Sequence, residues 1–243
     1  MAQDEPGLTD LKMKRELTNK LRYIMDCWLP PAIRDNKFFM YPVFYYWFKG
    51  KNIGRMMNYK REVFLMNEDE YASMYMNMDI RTKNRPSDMN KASIEYIFQH
   101  SAENAETLLD VGCGRGYFLN VLAERTPYKL TGLDLVDKVN GLKADYVRGF
   151  VEKLPFPDKS FDIVTCTHTI EHIINLKQAI AELKRVARKQ VIIVTPRQRY
   201  FFYTLDLHVN FFFTEESLTK EIGLTDFKCM NVRGDWVYIG NVE

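Results

Sequence analysis

A doubly wound α/β sheet is predicted by three observations. Short apolar runs alternate with helical patterns from about Asn90 to the C-terminus. Three glycines, Gly112, Gly114 and Gly116, crowd the end of the first such run, and the last two runs flank a tight turn. Strand, helix, strand repetition calls for parallel strands with helices on both faces. Glycine permits positive φ and close approach of a ligand to main chain, at an entropic cost wherever it is used.

In chain order the predicted strands are TLLDV (107–111), KLTGLDL (129–135), DYVRG (145–149), FDIVTCT (161–167) and QVIIVTP (190–196). Helices read between most of them. In NLKQAIAELKRVAR (175–188), Leu176, Ile180, Leu183 and Val186 recur at spacings of three and four and form one apolar stripe. DFKCMNV and WVYIGNV flank the turn RGD, which predicts an antiparallel pair at a sheet edge. NRPSDMNKA (84–92) reads as a turn and a helix start capped by Ser87 or Asp88, and divides the chain into a segment 1–88 and a domain 89–243.

Composition narrows the function classes. The chain has 243 residues, 46% hydrophobic and 27% charged, enough for one full core and an appendage. Four scattered cysteines without a CxxC pair fit free thiols in a reducing compartment, and the acidic start MAQDEPGLTD lacks an apolar signal core. A cytoplasmic location is expected. Net charge is +2, yet Leu11 to Arg61 holds twelve Lys or Arg against three acids, leaving −7 for the remainder. Inside that basic segment lie eleven consecutive apolar or aromatic residues, Phe38 to Phe48, between lysines. They are too few to span a membrane. They suit a lid over an acceptor pocket or a dimer contact, with peripheral binding to the inner face of a membrane as the alternative. A near-neutral chain without an RNA module is not expected to bind nucleic acid.

The glycines open a helix at the carboxyl end of the first strand, where doubly wound sheets bind ligands. Their spacing is G-x-G-x-G behind Asp110, whereas a dinucleotide fingerprint is G-x-G-x-x-G, which disfavours a nicotinamide-dependent oxidoreductase. Asp134 ends the second strand, where a carboxylate can accept hydrogen bonds from ribose hydroxyls. GFVEKLPFPDKSFDIVTCTHTIEHI follows.

Together these motifs resemble class I S-adenosylmethionine-dependent methyltransferases, in particular the small-molecule group that includes the ubiquinone and menaquinone methyltransferases. The resemblance covers roughly Asn90 to the C-terminus. It implies a Rossmann-like seven-stranded, mostly parallel sheet whose last strand is antiparallel, preceded by a helical, aromatic extension. It implies S-adenosyl-L-methionine as donor, lined by Asp110, Gly112, Gly114 and Gly116, with Asp134 on the ribose and Leu135 against adenine. Phe150 stands where relatives carry an acidic residue, which leaves backbone near Val151 and Glu152 as the adenine contact. Thr167 and His168 face the reacting end of the donor. The KPGG turn of relatives is absent before the fifth strand.

Methyl transfer to a hydroxyl needs a base, and the chain has four histidines. His100 reads as structural. His208 lies after the fifth strand, in the stretch that covers the acceptor in this group, and is the candidate base, with a bond to a loop carbonyl as the equal alternative; His168 is the second catalytic candidate. His168, Glu171 and His172 parallel an E-x-x-E-H that binds a divalent ion in ubiquinone-pathway enzymes, but the carboxylate count is low for a hard cation and no metal is expected. The expected function is methyl transfer, to oxygen before nitrogen or carbon, on a small-molecule, lipid-linked or glycan acceptor. The alternative is a donor-binding scaffold without turnover, to which Phe150 points.

Overall fold

The computed structural model describes residues 24–25, 28–77, 87–136 and 140–242. Cys27, the acidic N-terminus and residues 84–86 of the proposed boundary segment lie outside them. Among the described residues, the N-terminal part includes helices α1 (Pro31–Arg34), α2 (Lys37–Trp47), α3 (Ile53–Glu62) and α4 (Glu68–Asn77). The α/β part follows with α5 (Lys91–His100), β1 (Thr107–Val111), α6 (Tyr117–Arg125), β2 (Lys129–Asp134), β3 (Asp145–Arg148), β4 (Phe161–Thr167), α7 (Leu176–Val186), β5 (Ala187–Pro196), α8 (Glu215–Ile222), β6 (Phe227–Val232) and β7 (Asp235–Asn241).

The seven strands form one sheet in the order β3-β2-β1-β4-β5-β7-β6. β1 to β5 pair in parallel, and β7 inserts antiparallel to both neighbours. The expected sheet is therefore the observed one. Successive residues point to opposite faces of a strand, so Leu109, Val111, Ile193 and Tyr238 pack with α7 and α8 on one side. Leu108, Ile192 and Val237 pack with α5 and α6 on the other.

Boundaries moved in two places. The apolar stripe of α7 is buried at Ala179, Ile180, Leu183 and Val186, but β5 begins at the next residue, Ala187, so strand and helix abut without a turn. That contact accounts for the missing KPGG. The α5 cap is Asn90, whose side chain accepts from the Ser93 amide at 2.9 Å, rather than Ser87 or Asp88. Asn90 also donates to Asp235 at 2.7 Å, so a tertiary partner selected the cap.

A third apolar cluster builds the N-terminal layer. Met40, Phe44, Trp47, Phe48, Ile53, Met57, Tyr59 and Val63 pack with Leu205 and Leu207 of the segment after β5, and Leu135 and Val209 lie against them. Arg34 donates to the Tyr203 carbonyl and Lys60 to that of Phe201. Helices α2 to α4 thus cover the carboxyl edge of the sheet through the β5–α8 segment.

Candidate active site

The ends of β1, β2, β3 and β4 bring Gly112, Gly114, Gly116, Asp134, Leu135, Phe150, Val151 and Thr167 to one edge of the sheet. Turning the chain from β1 into α6 requires φ of +74° at Gly112, +52° at Gly114 and +75° at Gly116. A Cβ on Gly112 would sit 2.1 Å from Thr169 Oγ1, so that position is closed to any side chain. A Cβ on Gly114 would meet nothing within 4 Å. Two of the glycines therefore serve the turn and its packing, and Gly114 opens onto space.

Asp134 organises that turn. Its Oδ2 accepts from the Gly114 amide at 2.6 Å and its Oδ1 from the Val136 amide at 3.1 Å. Burial raises its pKa despite these bonds. Asp110 is buried beside it; Thr165 Oγ1 donates to its Oδ1 at 2.7 Å, while Oδ2 has no hydrogen-bond partner among the described residues. Burial lifts the Asp110 pKa to about 7, with the Asp134 charge adding to the shift. Two carboxylates held against their preference for water, under an open glycine turn, fit a ligand that carries positive charge and hydroxyl donors. S-Adenosylmethionine, with a sulfonium, an ammonium and a ribose diol, has that chemistry.

The other predicted contacts divide. Leu135 leans on the N-terminal cluster, and the Val151 side chain is buried with Leu109 and Leu133, so Val151 can offer a ligand main chain only. Phe150 is half-buried. The Thr167 carbonyl accepts from Thr169 Oγ1 at 3.1 Å.

The histidines separate into two environments. His168 has φ +50°, a costly conformation for a side-chain-bearing residue, and its amide donates to the Val194 carbonyl at 2.7 Å. Its Nδ1 lies 3.4 Å from Glu171 and its Nε2 3.6 Å from Asp235. Burial opposes its charge, but the Asp235 and Glu171 carboxylates outweigh it and lift the pKa to about 10. At neutral pH the ring is an imidazolium without a lone pair, disposed to hold charge rather than to accept a proton.

His172 and His208 face each other, ring centres 4.8 Å apart. A carbonyl can only accept, so the 2.9 Å contact of His172 Nδ1 with Leu207 O and the 2.7 Å contact of His208 Nδ1 with Gln198 Oε1 place the proton on Nδ1 in each neutral ring. The lone pair then sits on Nε2. One ligand atom each from Glu171, His172 and His208 lie within 4.8 Å of one another. His172 turns toward His208, its Nδ1 held by the Leu207 carbonyl. Val209 and Asn210 amides donate to the Glu171 carbonyl at 2.8 and 3.0 Å, and Tyr71 Oη donates to the His172 carbonyl at 2.8 Å. The N-terminal layer, the 170–172 turn and the segment carrying His208 are thereby locked together. His100 closes α5, with Nδ1 2.9 Å from the Tyr96 carbonyl.

Sequence reading missed Gln198, Asp235 and Tyr71. Tyr71 and Asp235 reach their histidines from distant elements and Gln198 from ten residues away in an irregular segment, and no local spacing announces such partners.

A glycine turn at the carboxyl end of β1, a carboxylate ending β2 and a seven-stranded sheet with an inserted antiparallel β7 are the arrangement of class I S-adenosylmethionine-dependent methyltransferases. Residues 109–195 match the family model described as a methyltransferase domain. The chain resembles the ubiquinone biosynthesis O-methyltransferase of Hahella chejuensis, 30% identical over 49% of this chain and 51% of that protein. It resembles the malonyl-[acyl-carrier protein] O-methyltransferase of Serratia marcescens, 35% identical over 39% of each. A demethylmenaquinone methyltransferase from Roseiflexus castenholzii is 37% identical over 33% of this chain and 37% of its own length. The chain thus spans about half the length, or less, of these curated relatives. Among solved structures, a SAM-dependent methyltransferase from Thermotoga maritima shares the fold, with a TM-score of 0.53 at 17% identity, covering 78% of this chain and 100% of that one. No described helix is long and apolar enough to cross a membrane.

Proposed function

We propose that the chain transfers a methyl group from S-adenosylmethionine to an oxygen of a small-molecule or lipid-linked acceptor. The observation that carries the reading is the Asp134 carboxylate clamped to the Gly114 amide at the open glycine turn. In this reading the cationic, hydroxyl-bearing donor lies over Gly114, with Asp134 toward the ribose hydroxyls and Asp110 beneath the turn. The donor, when bound, supplies a carbon already activated by its sulfonium. The protein's share is then positioning and exclusion of water, which is worth roughly 7–11 kcal/mol in well-oriented reactions.

A hydroxyl acceptor must also lose its proton. His208 Nε2 is our candidate acceptor of that proton, because Gln198 fixes the ring and the residue is buried. His168, held charged, supports the electrostatics of the site through Glu171. The O-methyltransferase relatives favour oxygen over nitrogen or carbon; a glycan acceptor and the scaffold without turnover are weaker alternatives. Incubating the protein and isotopically labelled donor with cell extracts, and searching for an acceptor that gains one labelled methyl group, tests the proposal. Binding of the donor with no labelled product in any extract would favour the scaffold.

A specific observation supports a second reading of the same site. Glu171, His172 and His208 present two imidazoles and a carboxylate at metal-ligand spacing, with both Nδ1–H groups held by carbonyl oxygens. Metal-bound histidines show that outer arrangement. His168, as an imidazolium, is not available to such a site. A divalent ion there would lower the pKa of a bound hydroxyl in place of a histidine base.

A further inference from the structure

We propose that the outer face of α2 docks on the surface of an anionic lipid bilayer. The helix KFFMYPVFYYW is apolar on both sides, and its two sides have different fates. Met40, Phe44 and Trp47 point inward and are buried. Phe38, Phe39, Tyr41, Pro42, Tyr45 and Tyr46 are exposed, Phe38 at 87% and Tyr45 at 57% of their full areas. At 100° per residue these six positions fill an arc of about 160°, and no charged side chain interrupts it. A helix face meant for water alone carries polar residues; this one carries a continuous aromatic surface.

Charge selects the occupant. Between Asp35 and Glu62 the chain has no acidic residue, and Lys37 at one end of α2 with Lys49, Lys51 and Arg55 beyond the other bracket the aromatic face with cations. A second copy docking face to face would set these cations against themselves. A single-stranded nucleic acid needs cations along its backbone beside the stacked bases, and the middle of this face has none. An anionic bilayer fits both features: tyrosine and phenylalanine rings favour the headgroup boundary, and flanking lysines meet lipid phosphates. At eleven residues the helix is about 16 Å long and must lie in the plane of the interface rather than cross it. The proposal stands on this surface and is independent of the reaction assigned to the site.

Flotation of the full chain with vesicles tests it, using phosphatidylcholine alone and phosphatidylcholine with about one-third phosphatidylglycerol. The wild type should float with the anionic vesicles at low salt and bind at least about tenfold more weakly in ~0.5 M sodium chloride. The double variant Phe38→Ser, Tyr45→Ser should lose at least about tenfold in vesicle affinity while keeping the wild-type melting temperature, since both rings are already in solvent. Absence of flotation at low salt, or flotation of the double variant equal to wild type, overturns the proposal. Lipid-free self-association abolished by the same two substitutions would assign the face to a second copy instead, and oligonucleotide binding sensitive to them would assign it to nucleic acid.

Discussion

The Gly114 amide lies 2.6 Å from Oδ2 of Asp134, so the glycine turn after β1 is tied to the end of β2 by a charge-assisted hydrogen bond. One carboxylate therefore shapes the loop that would carry the donor and remains able to accept from the donor's hydroxyls.

Asp134→Ala should weaken donor binding by roughly 1–3 kcal/mol, the scale of losing hydrogen bonds to a charged group. Calorimetric titration with S-adenosylmethionine reads it, and unchanged affinity would remove Asp134 from the site. Gly114→Val should abolish measurable binding, because a β-branched residue is strained at φ +52° and its side chain fills the space left for the ligand.

His208→Ala should lower turnover by ~100-fold to 10,000-fold with donor affinity unchanged, and the acidic limb of the wild-type pH–rate profile should disappear. Chelator should have little effect on the wild type. Loss of activity in chelator, restored by a divalent ion, would instead place the ion among Glu171, His172 and His208.

His168 couples stability to pH. Its folded pKa of about 10 exceeds the ordinary 6.5, so its contribution is fully present below pH 6.5 and is lost as pH rises toward 10. His168→Leu leaves Glu171 and Asp235 without their shared cation and should destabilise the protein on the order of 3 kcal/mol near neutral pH. The gap to wild type should narrow between about pH 7 and pH 10 in urea titrations. A gap independent of pH would mean that the ring is neutral.

Phe44 is fully buried in the N-terminal layer against Tyr203. Phe44→Ala should destabilise that layer by about 3–5 kcal/mol. Because the same layer holds Leu205 and Leu207 around His208, turnover should fall while donor affinity, set at the β1 and β2 ends, is retained. Equal losses of donor binding and turnover would show that the layer supports the whole domain.

Periodicity and turn signals revealed the alternation of strands and helices. Leu108 and Leu109 alternate between two cores, the α7 stripe repeats at helical spacing, and the run QVIIVTP is too apolar for anything but an interior strand. The meeting of the glycine turn with Asp134 was legible for a related reason: they lie at the carboxyl ends of β1 and β2, which a parallel sheet brings together. The pairing of His208 with His172 was not legible, since it depends on a carbonyl at Leu207 and an amide at Gln198 in a segment without periodic pattern. The Asn90 cap and the charge on His168 escaped for the same cause, as both require Asp235 from the far strand.

The sequence by itself determined the class of fold, the glycine turn at one sheet edge and the presence of an aromatic, basic N-terminal segment, because each is written in residues near one another in the chain. Only the tertiary structure decided which face of that segment is buried, which histidine is charged and which two share a site. Those outcomes depend on desolvation and on partners from other elements, and neither is a property of local sequence.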